Sequence, residues 1–571
     1  MLVAISGSQG SGKAQPLHSK VLCETGWKCI GELTCKDRVI TPNGHSAPII
    51  GIFPQGVKDV YIITTHDGGK TEACGDHLWK CSYGQYTKKN NKSFYRLKQE
   101  VMTTLSMSAY MQRQKTRKQW GTNLSIPLVT PYLNDNNHQY DIPPYLLGCL
   151  LGDGSLTSES VLLTTTDTHI LHECSKLLDS GYNFVQQGTS ISYRLGHEGK
   201  HNNKYIRAFE NYDLMKKSPE KFVPNAYKNG PPNDRLKLLQ GLMDTDGTVS
   251  SNGSSTTFTT TSYALARDVQ DIVWSLGGVA TISERHPVYK YKDKLHSGLI
   301  AYEIALKLPN PSSVFSLPRK KDRCRSSHFE GHKNGSLLLT RRISDITYKG
   351  KEEVWCIAID DPEHLYITDD YIVTHNTTIL KRLEAKGYRI IERKTSRSIQ
   401  SEWGMSLEDI IKDPDLVVKF QNEILARKYK DEHDAERVLH TSSNDRKYQR
   451  RTGVVFTERT YADLFAYAVI WLGRENRFDQ YLNEYYMKCL RAQQSYDAVY
   501  YVKGGKFPIV MDPNRAAVNQ HYGRMVDLTM YDFTAQMTQP NRLNIIDVLD
   551  ADLRAEMIDA QILATYEQRE L

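Results

Sequence analysis

The phosphate-binding pattern G-x-x-x-x-G-K-[ST] tolerates little variation: its glycines let the backbone wrap phosphate, and its final hydroxyl ligates Mg²⁺. Residues Gly7 to Lys13 of this chain read GSQGSGK, seven of the eight positions. The eighth is Ala14, which has no hydroxyl, and Gln15-Pro16 follow where a helix has to open behind the loop. Ahead of Gly7 the apolar run Leu2-Val3-Ala4-Ile5 reads as the entering strand. A loop intact through its seventh residue and wrong at its eighth implies an interruption there.

The missing residue stands far downstream, in Thr374-His375-Asn376-Thr377-Thr378-Ile379-Leu380. Removing residues 14 to 376, a stretch of 363 (376 − 14 + 1), joins MLVAISGSQGSGK to TTILKRLEAKGYRIIERK. The joined text is a strand, a complete phosphate loop and an amphipathic helix with Ile379, Leu380 and Leu383 on one face. The residue before Thr377 carries its own chemistry. Asn376 can attack the peptide bond that follows it to form a succinimide, while the imidazole of His375 protonates the departing amine.

Composition places few further limits. The 571 residues allow three or more domains, and with 39% hydrophobic and 24% charged residues the chain reads as ordinary globular protein. No run approaches the ~18 apolar residues of a membrane span. No signal peptide is expected, because Met1 to Ile5 leads directly into the glycine loop. The net charge of +7 permits nucleic-acid contact without demanding it. Ten cysteines without a paired C-x-x-C framework predict a reducing, cytoplasmic compartment and mostly buried free thiols.

The insert resembles an intein, a self-excising element of the Hedgehog/intein fold. Its carboxyl end, VWCIAIDDPEHLYITDDYIVTHN (Val354 to Asn376), looks like the family's last two blocks: a strand, a turn with His364, a second strand and the terminal His-Asn. Its amino end, WKCIGELTCKDRVITPNG, has alternating apolar positions and a Pro-Asn-Gly turn. The block carrying the family's T-x-x-H reads Cys74-Gly75-Asp76-His77, so Cys74 replaces the usual Thr while His77 is kept.

Most inteins begin with Cys or Ser, and Ala14 cannot attack the preceding carbonyl. Two readings are open: an engineered Cys-to-Ala change that traps the precursor, or a natural variant with another nucleophile. Trp79, Cys356 and Thr374 match the Trp-Cys-Thr signature of a minority intein class and favour the second. That resemblance implies that Cys356 attacks the Lys13 carbonyl and His77 polarises the peptide and protonates the Ala14 amine. Thr377 then takes the acyl group, Asn376 cyclises with help from His375, and Lys13 is joined to Thr377, with no cofactor. A lone cysteine is more often a buried strand thiol; the company of Ala14, Trp79 and Thr374 reverses that reading.

Inside the insert an internal repeat appears. Leu146 to Gly154 (LLGCLLGDG) and Leu239 to Gly247 (LQGLMDTDG) each end an apolar helix in Asp-Gly, 93 residues apart (246 − 153). Gly148 and Gly152, and Gly241 and Thr245, are small residues four apart, so two such helices can pack backbone to backbone. Their ends would bring Asp153 and Asp246 together as ligands for a divalent metal. The segment resembles a single-chain LAGLIDADG homing endonuclease, which implies double-stranded DNA as partner and Mg²⁺ as cofactor. Lys221 in Lys221-Phe222-Val223-Pro224 resembles the lysine block ahead of the second helix. The alternation Thr256 to Thr261 suits strands of a DNA-facing saddle. The run Arg319-Lys320-Lys321-Asp322-Arg323 reads equally as a phosphate contact or a solvated linker.

The host restored by removing the insert has 208 residues (13 + 195). It would bind ATP and Mg²⁺ through Gly7, Gly10, Gly12, Lys13, Thr377 and Thr378. Val454 to Arg459 ends a strand in Glu458-Arg459 and resembles the strand-end acid-arginine of nucleoside and nucleotide kinases, with helix-capping charge as the plain alternative. Arg515 and Arg524 resemble the arginines of a nucleotide-kinase lid. A deoxynucleoside monophosphate is the first expected acceptor, ahead of a nucleoside or nicotinamide riboside, and such a kinase with such an insert suits a phage or microbial source.

The expected organisation is multidomain. Residues 1–13 begin the α/β P-loop host, 14–135 and 326–376 form an all-β splicing domain, 136–325 an α+β LAGLIDADG domain, and 377–571 the rest of the host. The rival is a permanent, non-splicing ATPase with an inserted DNA-binding, nuclease-like domain. It leaves unexplained why both boundaries fall within one eight-residue motif.

Overall fold

The structure, a computed structural model, describes residues 1–7, 14–89, 92–116, 124–132, 139–157, 160–197, 203–291, 294–325, 340–361, 363–375, 383–384, 386–391, 395–439, 453–502, 520–547 and 551–570. Leu2–Gly7 lies at the centre of a five-stranded parallel sheet. Its other strands all come from beyond residue 377, in the order Arg389–Ile391, Val455–Glu458, Leu2–Gly7, Ala498–Val502, Leu543–Ile546. The strand is apolar without alternation because both faces are covered. Leu2 and Ala4 pack with Tyr461, Phe465 and Met537, while Val3 and Ile5 pack with Ala555, Ile558 and Ile562. The two ends of the chain therefore share one sheet while 363 residues (376 − 14 + 1) still separate them.

The ends of the insert close into a second, twelve-stranded sheet. Ser46–Thr65 pairs along its length with Arg341–Ile359, and four register shifts bend the pair. Gln15–Pro16 joins the same strand, and Ile372–His375 returns beside Leu365–Thr368. Both ends of the insert are thus strands of one sheet, Gln15–Pro16 at one end of its order and Ile372–His375 in its interior.

Between the halves of that sheet lies the repeat. Pro144–Asp153 and Pro232–Asp246 are its two helices, and each leads into a four-stranded antiparallel sheet. Gly154–Thr157, Ser160–Thr164, Tyr182–Gln186 and Ser192–His197 pair in the order first, second, fourth, third. Gly247–Val249, Thr256–Thr260, Val279–Arg285 and Ala301–Lys307 repeat that order. The helices meet where their glycines remove bulk. A Cβ on Gly148 would stand 2.2 Å from the Leu238 carbonyl oxygen, and one on Gly241 would stand 2.3 Å from that of Tyr145.

A buried carboxylate anchors the repeat to the twelve-stranded sheet. Asp67 accepts from Arg341 Nε at 3.0 Å, from Trp274 Nε1 at 2.7 Å, and through its backbone carbonyl from Gln270 Nε2 at 2.8 Å. The Arg341 guanidinium also lies 4.2 Å over the Trp274 ring. Among the described residues no helix is long and apolar enough to cross a membrane. All ten cysteines are free thiols.

Candidate functional site

Ala14 is buried between two sulfur-bearing strands. Its N–H donates to Cys74 Sγ at 3.3 Å, and the Cys74 N–H donates to the Ala14 carbonyl at 2.9 Å. On the other side Gln15 pairs with Trp355 and Pro16 with Val354, so the next register step sets Cys356 opposite Ala14. Ala14, Cys74, Cys356, Val60 and Val354 form one buried cluster. Gln15 fastens this strand. Its amide donates to Thr71 Oγ1, the Glu72 carbonyl and Thr368 Oγ1, and accepts from the Tyr366 hydroxyl at 2.9 Å. Burial pushes the Cys74 thiol up to about 11, so it keeps its proton near neutrality.

Cys74 and His77 are the two ends of one turn, closed by the His77 N–H on the Cys74 carbonyl at 3.1 Å. At the Cys74 end stands Ala14; at the other, His77 Nε2 is hydrogen-bonded to Thr374 Oγ1. Trp79 is fully buried with its ring 5.1 Å from that of His77, and its Nε1 donates to Thr104 Oγ1 at 2.9 Å. The Thr104 N–H in turn donates to the His77 carbonyl, so Trp79 and Thr104 set the position of the imidazole. His375 is buried, pairing with Leu365 on one side and Leu78 on the other. His364 precedes Leu365 with φ +53, in the turn that the sequence suggests. Ala14, Cys356, His77, Trp79, Thr374 and His375 thus converge in one sheet. Lys13, Asn376, Thr377, Thr378, Gly10 and Gly12 lie outside the described residues. The sequence expectation gives His77 the protonation of the amine released at Ala14; in the folded chain the Ala14 N–H donates to Cys74 Sγ, and His77 closes the same turn.

At the far end of the paired helices the terminal acids meet. A Cβ on Gly152 would come within 3.2 Å of Asp246 Oδ2, which places the second acid against the first helix. Burial and the neighbouring Asp153 carboxylate raise Asp246 to about 6, with Lys221 and Lys320 opposing. Asp153 is also raised, chiefly by burial. Lys221 Nζ donates to the carbonyls of Leu150, Leu151, Gly152 and Gly154, capping the first helix, and burial lowers it to about 8.

Lys320 does the same for the second helix, through the carbonyls of Met243, Asp244, Thr245 and Gly247. The sequence reading treated Lys320 as part of a linker or a phosphate contact. The structure corrects this: Lys320 is the symmetry mate of Lys221. Arg319 of the same run pairs with Asp167 at 2.7 Å. A similar offset was there to be seen, Lys221 lying 68 residues after Asp153 (221 − 153) and Lys320 lying 74 after Asp246 (320 − 246). Thr256 is buried, while Thr257 is half-buried and Thr259 exposed.

In the host sheet Ile5 pairs with Glu458, so the strand ending at Gly7 and the strand ending at Glu458 open on one edge, the carboxyl edge where α/β sheets bind ligands. Arg459 takes φ +66, and its N–H donates to the Ile5 carbonyl at 2.9 Å. Burial works against its charge, yet Tyr467, Asp463 and Glu458 hold its pKa above the ordinary value. Its Nη1 reaches Met530 Sδ, on the helix Gln520–Met537 that carries an exposed Arg524. Ser6, next to the loop, donates to Asp463 Oδ1 at 2.7 Å. Arg515 lies outside the described residues.

Residues 233–307 match the LAGLIDADG-like domain family, a span from the second helix to the last strand of the repeat. The chain is 25% identical over 394 residues to a replicative DNA helicase DnaB of Mycobacterium intracellulare, a match covering 66% of this chain and 61% of that relative. It therefore spans about three fifths of that relative's length. Among solved structures, the MchDnaB-1 intein aligns at 8% identity with a TM-score of 0.20, over 64% of this chain and all of its own. I-DmoI in complex with DNA and Ca aligns at 14% identity with a TM-score of 0.19, over 29% of this chain and 83% of its own. The family match, joined to the symmetric helix pair and the β domain around it, supports an intein carrying a LAGLIDADG-type domain. The matched names include no kinase, so they do not support the expected nucleotide-kinase host.

Proposed function

We propose that the chain is a self-splicing precursor whose residues 14–376 excise themselves and join Lys13 to Thr377. The observation that carries this is the position of Ala14, held by hydrogen bonds to Cys74 and set by register opposite Cys356. Cys356 attacks the Lys13 carbonyl and forms a branched thioester, and the Thr377 hydroxyl takes over the acyl group. Asn376 then cyclises beside His375, and an acyl shift leaves the Lys13-Thr377 amide. Each step exchanges one acyl linkage for another, so no cofactor enters. The test is the Cys356→Ala precursor: it should remain at full length, and ligated host from it would refute the scheme.

The LAGLIDADG-type domain acts in this reading as an endonuclease on double-stranded DNA, with Mg²⁺ at Asp153 and Asp246. The donor set fits such an ion: two half-buried carboxylates face one another, and among the described residues neither accepts a hydrogen bond. Mg²⁺ there would supply a Lewis acid for the scissile phosphate. Lys221 and Lys320 hold the helix ends that present the acids.

The spliced host is an NTP-binding protein whose loop gains its Mg²⁺ ligand from Thr377. Phosphotransfer to a nucleotide or nucleoside is the finer reading, supported by Glu458 and Arg459 on the edge beside the loop strand. ATP turnover should appear only after splicing. Turnover by an Asn376→Ala, Cys356→Ala precursor at the rate of the joined product would contradict this.

A further inference from the structure

We propose that a cavity between the twelve-stranded sheet and the repeat binds a small phosphate-type oxyanion, paired with the guanidinium of Arg235. The cavity measures about 270 Å³. Glu24, Thr25 and Tyr371 line it from the side of the sheet, and Lys228, Arg235 and Ser275 from the side of the repeat. It is separate from the paired acids: eleven residues of helix (246 − 235), ~16 Å at 1.5 Å per residue, lie between Arg235 and Asp246.

Arg235 is 5% exposed, and among the described residues its side chain makes no hydrogen bond and no ion pair; its Nε is buried without a partner. A guanidinium keeps its proton near neutrality, so the charge stays although burial works against it. A cation held out of water calls for a counter-ion. The carboxylates nearby are engaged elsewhere. Glu24 pairs with Arg38 at 3.1 Å, Asp268 takes Lys228 at 2.5 Å, and Asp234, the residue before Arg235, acts on Tyr140. The phenols of Tyr371 and Tyr140 lie close enough to act on Arg235, but burial raises both, and a neutral phenol does not balance a charge.

Position adds to the attraction. Arg235 is the fourth residue of the helix Pro232–Asp246, within the first turn, where the helix dipole is positive, and Lys228 brings a second cation to the wall. The planar fork of a guanidinium matches two oxygens of one phosphate. The volume lies below the ~300 Å³ at which sites for drug-sized ligands begin, which limits the occupant to free phosphate or the phosphate of a small ester. Bound there, the anion would tie the start of the second helix to the sheet.

The experiment uses the full-length chain with Cys356→Ala and Asn376→Ala, which on the splicing reading keeps one species in solution; the site itself does not depend on that reading. Equilibrium dialysis against labelled inorganic phosphate should count about one phosphate more per chain than in the same chain with Arg235→Met, with a Kd of about 1 mM or tighter. Phosphate on the Gly7 loop would count equally in both. At about ten times that Kd the parent should melt ~2 °C or more above its value in sodium chloride of equal ionic strength. Exclusion of phosphate from the protein surface lifts both chains alike and leaves the difference intact. Glycerol phosphate, run in parallel, assigns the source: a difference with it alone points to an ester, a difference with inorganic phosphate to the free ion, and either supports the site. Arg235→Met removes an unpaired buried charge and should melt no lower than the parent in phosphate-free buffer, while Arg235→Lys should keep a weakened response. Equal counts in the parent and Arg235→Met with both ligands overturn the proposal. So does an Arg235→Met chain that melts below the parent without phosphate, since the guanidinium would then already have its partner in the fold.

Discussion

At the splice junction, Ala14, Cys74 and Cys356 come together because neighbouring strands place them side by side; in the inserted domain, Asp153 and Asp246 come together because two helices pack through glycine. The first region is closed to solvent, with Ala14 1% and Cys356 5% exposed, and it brings together two thiols and an imidazole. The second is half-open and charged, two carboxylates opposed by two buried ammonium groups. On the proposed function the difference follows from the substrate: a junction that cuts its own backbone once would have no need of access, whereas a site for an external polyanion would have to admit it and to hold a cation against it.

If the regions are chemically independent, substitutions should separate them. Asp246→Asn should lower DNA cleavage on the order of 10³-fold and leave the yield of spliced host unchanged; a gel assay beside a splicing assay checks both. Equal loss of both would break the comparison.

The seam should behave otherwise, because Asp67 serves the two regions at once. Asp67→Ala leaves the Arg341 guanidinium buried without its carboxylate and should cost about 3–5 kcal/mol in urea unfolding, lowering splicing and DNA binding together. Loss confined to one activity would show that the domains do not lean on this contact.

Gly148→Ala tests the helix pair alone. The added methyl meets the Leu238 carbonyl and should cost about 1–3 kcal/mol, reducing DNA cleavage with splicing intact.

The smallest effect expected is with pH. Asp246 is raised to about 6, so the folded domain binds the extra proton and Asp246 lowers stability as pH rises from its unfolded value towards 6. Over the same interval the carboxylate becomes available, and apparent Mg²⁺ affinity should strengthen through about pH 6 and then level. Asp246→Asn should remove that limb from a Mg²⁺ titration of DNA cleavage or of thermal shift.

Much of this was legible in sequence, and the reason differs by region. The interrupted loop suggested both boundaries and predicted that its entering strand belongs with the far end of the chain; Leu2–Gly7 does sit within strands from beyond residue 377. Gly148, Gly152, Gly241 and Asp-Gly at each helix end carried the repeat, since close helix packing leaves a small-residue spacing. Lys320 was misread because a side chain that caps carbonyls leaves no periodic mark and sits in a charge run like any surface helix. Cys74 registered as a departure from Thr, but its contact with Ala14 depends on the pairing of strands that are 60 residues apart. Asp67, Arg341 and Trp274 gave no signal at all: they lie far apart along the chain and meet only when the two domains dock.

The central claim is tested most directly by intact mass of freshly expressed protein. At ~0.114 kDa per residue (65.2 kDa over 571), the parent chain should yield fragments of ~24 kDa (208 residues) and ~41 kDa (363 residues), and Cys356→Ala should stay at 65.2 kDa. A parent chain that persists at 65.2 kDa under conditions where the protein is folded, or a Cys356→Ala chain that still gives the ~24 kDa host, would contradict the account.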